Sequence, residues 1–251
     1  MKPRRFFAEG DPLSPGERLV EGRSARYLSR VLRLGVGARV ILFDGSGYEF
    51  PAEILEVGRQ FVRLKVSAGE KVNRESSLRL WLALGLCQPA IMDLIVQKVT
   101  EIGVTEIIPV RTQRAQRWLA GNRGVSREKR WERIAQEAAR QSGRNKVPHI
   151  WSVVDFSQLV RHGEPTGLKL ILWEEEKSCS LKQTLAVKGQ TRQVGVLIGP
   201  EGGFSAEEVR QAKAADFHSI SLGRRILRAE TAAIVVIGLL QYELGDLGLL
   251  P

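Results

Sequence analysis

Cysteine is nearly missing: Cys87 and Cys179 are the only two in a chain of 251 residues. Two thiols cannot build the disulfide framework of a small secreted domain. The three histidines, His149, His162 and His218, are scattered and lack the paired spacing of a zinc site. No apolar run reaches the ~20 residues that span a bilayer. No hydrophobic stretch follows the opening Met1-Lys2-Pro3-Arg4-Arg5, which argues against a secretory leader. Internal repeats and low-complexity tracts are absent as well. These absences lead us to expect a soluble, cytoplasmic chain without a metal.

Acidic residues are the other shortage. Asp and Glu number 28 against 38 Lys and Arg, a net charge of +10. The excess is concentrated, since residues 111–146 hold eleven Lys/Arg against three Asp/Glu. A basic patch of this density is the electrostatic footprint of a nucleic-acid binder. A solvated helix face is the plainer alternative, but too few acids stand at i±4 spacing to neutralise the bases. The length allows one large domain or two smaller ones, and an apolar content of 43% is ample for a core.

Residues 1–70 read as a small β domain. Strand-like residues 39–43 lead into Asp44-Gly45, a hairpin signal, and 48–55 return. Residues 60–66 alternate with a period of two, and 25–32 suggest a short amphipathic helix. The polar stretch 67–77 separates this domain from the next, with 71–77 as linker. From Leu78 onward strands at 78–86, 107–110, 168–173, 194–198 and 219–222 alternate with helices. One helix spans 89–102, with Pro89 in its first turn, Gly103 past its end, and Ile91, Leu94, Ile95, Val99 and Ile102 on one face. Another spans 127–142, burying Trp131, Ile134, Ala135 and Ala138 before Gly143. Ser205 and Glu208 form a capping box. Residues 78–251 are therefore expected to be an α/β domain, a parallel sheet with helices on both faces. The closing helix, 229–240, is apolar on nearly every face, Ile237 included, and calls for cover from a second subunit in a homodimer, the alternative being burial within one chain between the sheet and the 89–102 helix.

Two Gly-rich loops stand out near the C-terminus. The first is Gly199-Pro200-Glu201-Gly202-Gly203-Phe204 and the second is Leu222-Gly223-Arg224-Arg225-Ile226-Leu227-Arg228-Ala229-Glu230-Thr231-Ala232. Each follows a strand and precedes a helix, the usual setting for a ligand at the C-terminal ends of parallel strands. Neither loop has the Gly-x-Gly-x-x-Gly fingerprint or the Lys-Ser/Thr of a phosphate loop. Glu201 would repel a polyanion, so a nucleoside-like ligand with a positive centre fits better. An ordinary turn with glycine at a tight bend is the alternative for either loop alone.

These loops resemble the knot loops of SPOUT methyltransferases, and in particular the RsmE family of 16S rRNA uridine-N3 methyltransferases. The resemblance covers nearly the whole chain. Met1-Lys2-Pro3-Arg4-Arg5-Phe6-Phe7 is similar to the family's N-terminus, and Val31-Leu32-Arg33-Leu34 with Gly37 and Phe43-Asp44-Gly45 to its first domain. Gln97-Lys98-Val99-Thr100-Glu101-Ile102-Gly103-Val104 and Gln141-Ser142-Gly143-Arg144 are similar to its middle motifs. Tyr27, where the family often has His, and Arg140, where an acid or small residue is common, are departures. The resemblance implies a PUA-like RNA-binding β-barrel followed by a SPOUT-type knotted parallel sheet. In that fold the trefoil knot forms the S-adenosylmethionine pocket. It also implies a homodimer acting on 16S rRNA within the 30S subunit.

Methylation of uridine N3 is an in-line displacement from an activated donor, so positioning is the main task. The N3 proton must leave, and the resulting anion spreads over N3, O2 and O4, where a positive group would stabilise it. Arg228 is the leading candidate for that group; a salt bridge to Glu201 or Glu230 that only fixes the loops is the alternative. Glu201 would accept the proton or steady the sulfonium, and Glu101 is a weaker candidate that could simply be a paired helix-end carboxylate. The backbone of Gly199, Pro200, Glu201, Gly202, Gly203, Leu222, Gly223 and the residues up to Leu227 would hold adenine and ribose. Leu197, Leu222, Ile226 and Leu227 would enclose the adenine. Leu172, Glu174, Ile198, Arg228, Thr231 and Ala232 complete the expected pocket. N3 lies on the Watson–Crick edge, so the target base must be flipped or unpaired. Arg4, Arg5, Arg30, Arg33, Arg127, Arg130, Arg133 and Arg144 are candidates for phosphate contacts, which position RNA without choosing the base. Ribose 2′-O methylation, a non-catalytic ribosome-assembly protein and an enzyme on free nucleotides are the other readings.

Overall fold

Residues 61–66 alternate between buried and exposed, whereas residues 80–85 are buried without a break. The first pattern belongs to a strand with one wet face, the second to a strand covered on both faces. The two patterns fall in different parts of the molecule. In the computed structural model, which describes residues 4–115, 124–161, 167–188 and 191–249, the chain forms two compact units. One is Met1–Glu75 with Ala139–Val147, and the other is Ser76–Ala138 with Pro148–Pro251. His162, residues 116–123 of the basic stretch and residues 1–3 of the N-terminal motif lie outside the described residues.

The first unit contains β1 (Arg4–Phe7), β2 (Gly16–Glu21), α1 (Gly22–Arg26), β3 (Arg39–Phe43), β4 (Tyr48–Val57), β5 (Phe61–Val66) and β6 (Glu70–Lys71). The strand order is β1-β3-β4-β5-β2, with β6 on β4. Only β1 and β3 run parallel; the other pairs are antiparallel. Phe6, Leu28, Leu42, Ile54, Val62 and Leu64 fill the core. Instead of one amphipathic helix over 25–32, α1 gives way to a π turn at Tyr27–Val31, closed by the Leu32 N–H on the Tyr27 carbonyl. Leu28 is drawn fully into the core, and the wide turn leaves Val31 in solvent.

Residues 70–75 belong to this unit, with Glu70, Lys71, Asn73 and Arg74 exposed and Glu75 half-buried. The Glu75 carboxylate pairs with Arg144 at 2.7 Å and accepts the Lys146 N–H. The Arg5 guanidinium pairs with Glu49 at 2.9 Å, donates to the Arg140 and Arg144 carbonyls, and lies 4.6 Å from the Phe43 ring centre. Arg140 in turn lies 5.5 Å over the Tyr27 ring, so the two departures from the family pattern touch each other.

The second unit contains β7 (Arg79–Gly85), α2 (Pro89–Ile102), β8 (Glu106–Arg111), all but the last four residues of α3 (Gly124–Ser142), β9 (His149–Ile150), β10 (Val154–Asp155) and α4 (Phe156–Arg161). It continues with β11 (Leu168–Leu172), α5 (Leu181–Lys188), β12 (Gln193–Ile198), α6 (Ala206–Ala214), β13 (Phe217–Ile220) and α7 (Ala229–Leu244). The sheet runs β10-β8-β7-β12-β11-β13, with β9 also on β8, and every pairing is parallel. Trp81, Ile108 and Leu197 pack with α4 and α6 on one face. Alternation sends Leu80, Leu82, Leu84 and Ile198 to the other face, where α2 and α7 pack on each other and α7 meets β12.

The stripe that α2 buries is Met92, Ile95, Val96, Val99 and Thr100, while Leu94 of the expected face is exposed. Packing against both the sheet and α7 turns the helix away from the simple apolar maximum. In α7, Ala233, Val236, Ile237 and Leu240 are buried within the chain. Ile237 is therefore a core residue here and not the partner-facing one that its sequence context suggested. The uncovered apolar residues are Val235 at 38% exposure, Leu239 at 41% and Tyr242 at 65%. Among the described residues no helix is long and apolar enough to cross a membrane.

Candidate functional site

Strands β11, β12 and β13 are neighbours, and the three segments that leave their C-terminal ends converge. After β12 the chain turns sharply, with the Gly203 N–H on the Pro200 carbonyl at 2.9 Å. Ser205 then caps α6 with Glu208 in a reciprocal capping box. After β13 the Ser221 hydroxyl and the backbone of Gly223 bond each other at 3.1 and 3.2 Å and set the second loop. With Leu172, Trp173 and Glu174 these loops enclose a cavity of about 430 Å³. That volume suits a ligand of nucleoside size, given a usual range of roughly 300–1,000 Å³.

Most of the residues expected in a pocket do line this cavity. Ile198, Gly199, Pro200, Glu201 and Gly203 come from the first loop, and Leu222, Gly223, Ile226, Leu227, Arg228 and Ala232 from the second. Ile226 is 81% exposed, an apolar side chain held open beside the cavity.

Three expected residues do not line the cavity. Leu197 is fully buried in the core on the opposite face of β12. Gly202 faces away, and a Cβ there would lie 3.3 Å from the Cβ of Arg114. A side chain at 202 would thus push on Arg114 rather than fill the pocket. Thr231 is exposed on the outer side of α7. Arg224 and Arg225 line the cavity as part of the second loop, and Trp173, Ile220, Ser221 and Glu230, next to residues already named, line it without having been expected there. Ile91 on α2 also lines the cavity, and no local sequence signal connects it to the loops.

The charges around the cavity are arranged unevenly. Glu201 Oε1 accepts the Gln88 N–H at 2.8 Å, at the N-cap of α2. Arg228 is the N-cap residue of α7; it is exposed and forms no ion pair among the described residues, so neither bridge considered for it is made. Glu230 has one carboxylate oxygen, Oε2, that is buried without a hydrogen-bond partner among the described residues. Burial, followed by Glu201 and Glu230, pushes the Cys87 thiol well up and keeps it protonated. Glu101 is an ordinary helix-end carboxylate, paired with Lys98 at 3.0 Å and away from the cavity.

The arginines expected at RNA separate into distinct environments. Arg5 and Arg144 are mostly buried and held by Glu49 and Glu75, so their charge is committed to the fold of the first unit. Neither guanidinium is placed to meet an RNA phosphate, contrary to the expectation from sequence. Arg4, Arg30 and Arg33 are exposed on the first unit. On α3, Arg130 is held by Asp93 with both carboxylate oxygens near its Nε, Arg133 is exposed, and Arg127 is half-buried.

The class follows from the parallel sheet and its looped pocket. Residues 74–241 match the family described as an RNA methyltransferase domain, and residues 20–67 match an RNA methyltransferase PUA domain. The chain is 30% identical over 230 residues to the ribosomal RNA small subunit methyltransferase E of Bacillus subtilis, covering 89% of each. It superposes on ribosomal RNA small subunit methyltransferase E from Neisseria gonorrhoeae, solved with S-adenosyl methionine, with a TM-score of 0.85 and 29% identity, covering 97% of this chain and 99% of that one. A Legionella pneumophila protein described as a methyltransferase, with bound cofactor SAM, superposes with a TM-score of 0.91 at 33% identity, covering 98% of this chain and 100% of that one. The chain belongs to the ribosomal RNA small subunit methyltransferase E family.

Proposed function

We propose that the protein methylates N3 of a specific uridine in 16S rRNA, using S-adenosylmethionine bound in the cavity between the two Gly-rich loops. The observation that carries this reading is the cavity itself: two loops of unlike sequence enclose one nucleoside-sized space at the ends of β11, β12 and β13. The lining fits the ligand. Ile198, Leu222, Ile226 and Leu227 offer apolar cover for a purine, and the glycines bring backbone donors and acceptors close. S-adenosylmethionine supplies an already activated methyl group. What remains for the chain is to hold the acceptor in line and manage the N3 proton and the charge it leaves.

Arg228 is unpaired among the described residues and stands at the pocket's rim, so it is the group we assign to the developing charge on uracil O2 or O4. Glu201 is oriented by the Gln88 N–H. It is thereby fixed toward the cavity and suited to accept the N3 proton or to face the sulfonium. The first unit, with Arg4, Arg30 and Arg33 exposed, is assigned to RNA, together with Arg127, Arg130 and Arg133 of α3. The acceptor is 16S rRNA assembled in the 30S subunit, and the setting is the cytoplasm where that subunit is made. Val235, Leu239 and Tyr242 on α7 support a homodimer, since they leave an apolar face uncovered.

The deciding experiment is incubation of the purified protein with methyl-labelled S-adenosylmethionine and undermethylated 30S subunits, followed by nucleoside analysis. Label in 3-methyluridine is the expected result. Label in a 2′-O-methylated nucleoside, or no label, overturns the assignment.

A further inference from the structure

We propose that Glu230 is the residue by which this pocket distinguishes the cationic methyl donor from its neutral product, an inference that rests on the donor reading above. Glu230 stands in the first turn of α7, lines the cavity, and follows Arg228 by two residues. Its Oε2 is shut away from solvent and has no hydrogen-bond partner among the described residues. An unpartnered buried carboxylate oxygen has lost its water and gained nothing in return. Glu230 thus stands at the helix end whose backbone N–H groups point toward the cavity side of α7. The carboxylate oxygen is therefore left without a partner among the described residues.

Nearby groups do not meet it. Arg228 forms no ion pair among the described residues, and Glu201 is itself an acid, occupied by the Gln88 N–H. Glu201 and Glu230 both line the cavity, the first bonded to the N-cap of α2 and the second in the first turn of α7, so two acids stand where these helix N-termini border that space. Arg224, Arg225 and Arg228 also line the cavity but are exposed and in no ion pair among the described residues, so no contact compensates the two acids beside a space sized for a ligand.

S-adenosylmethionine carries a sulfonium that donates no hydrogen bond and is recognised only by charge and shape. When the methyl group leaves, its bonding pair stays on sulfur and the product is an uncharged thioether. A carboxylate at this end of the pocket attracts the donor and gives the product no such attraction. The acid thus favours loading of the donor and release of the product. The other ionic part of the ligand, the amino-acid group, is the same in both and cancels in the comparison. An acid in the first turn that only steadied α7 would affect both ligands alike.

The test is calorimetric titration of the full chain with S-adenosylmethionine and with S-adenosylhomocysteine, for wild type, Glu230→Gln and Glu230→Asp. Wild type should prefer the donor. In Glu230→Gln the donor should lose about tenfold in affinity and the product less than about twofold, tenfold being about 1.4 kcal/mol. Glu230→Asp, which keeps the charge, should retain part of the preference. Equal losses for both ligands in Glu230→Gln overturn the proposal and leave only a structural role. If Glu230→Gln does not fold, the wild type decides: affinities for the two ligands within twofold of each other overturn it. Failure of the wild type to bind either ligand would instead strike the donor reading itself.

Discussion

Gly85 ends β7 at the point where the first Gly-rich loop crosses it. A Cβ built on Gly85 would stand 2.6 Å from the backbone nitrogen of Pro200, a distance that only displacement of the loop can relieve. Gly85→Ala should therefore shift the loop and weaken S-adenosylhomocysteine binding at least tenfold, in line with the ~1–3 kcal/mol usual for overpacking. Calorimetry together with a far-UV spectrum separates this from global unfolding. Arg228 makes the opposite kind of prediction. Its side chain takes no part in an ion pair among the described residues, so removing it should leave the pocket intact. Arg228→Ala should lower the single-turnover methylation rate by about 10²–10³, the usual effect of deleting one preorganised charge-stabilising donor, with donor affinity nearly unchanged. A parallel fall in donor affinity would move Arg228 from the chemistry to the cofactor.

At the scale of elements, the first Gly-rich loop is braced from behind by the segment that leaves β8. Glu208 receives the Ser205 N–H at 2.9 Å on one oxygen and the Gln113 N–H at 2.7 Å on the other, and Arg114 donates to the Gly202 carbonyl at 3.1 Å. Arg114→Ala removes a charged donor without touching the cavity. It should weaken S-adenosylhomocysteine binding about fivefold, as expected for a hydrogen bond worth roughly 1 kcal/mol. Thermal melting should move little, because Arg114 is not a core residue. The segment after β11 has its own lock. The Ser178 hydroxyl and N–H bond to Glu176, Lys213 lies 3.4 Å from it, and together they hold its carboxyl at about 2, below its ordinary 4.5. A folded-state value below the unfolded one stabilises the protein above the unfolded value and is lost as pH falls through the folded one. The melting-temperature gap between wild type and Glu176→Gln should be full at neutral pH, shrink below about 4.5 and close near 2. A gap independent of pH would show that the packing of this side chain matters and its charge does not.

For the whole molecule, two surfaces have consequences in solution. Leu239 is 41% exposed beside Val235 and Tyr242 on α7. Leu239→Glu should convert a dimer of this 28.0 kDa chain into a monomer by sedimentation, without loss of the fold. A wild type that already sediments as a monomer would remove the dimer from the proposed function. The net charge of +10 acts at long range. Arg30 and Arg33 are both exposed and make no ion pair among the described residues. Replacing both with Gln should reduce the slope of log affinity for RNA against log salt by about 1.4–1.8, some 0.7–0.9 for each phosphate no longer neutralised. Donor binding should be indifferent to the same change.

Local order was set by local chemistry. Pro89 and Gly103 bracket α2, Ser205 and Glu208 cap α6, and the apolar runs at 39–43 and 193–198 became strands, because each signal lies within a few residues of the structure that it specifies. The two Gly-rich loops were legible for the same reason: each is a continuous segment, and together they supply most of the cavity wall. Which side a residue faces depended on partners far away in the chain. Leu197 and Ile198 are adjacent and equally apolar, yet the pleat sends one to the core below and the other to the pocket. Arg5 and Arg30 look alike as basic residues, but Glu49 and three backbone carbonyls immobilise the first and nothing comparable holds the second among the described residues. Ile91, Gly85 and Arg114 became part of the site only when α2, β7 and the end of β8 were brought against loops more than eighty residues later. A one-dimensional pattern carries periodicity, charge and turn chemistry; it does not carry the pairing order of parallel strands, and that order, β7 beside β12 and β11 beside β13, is what assembled the pocket.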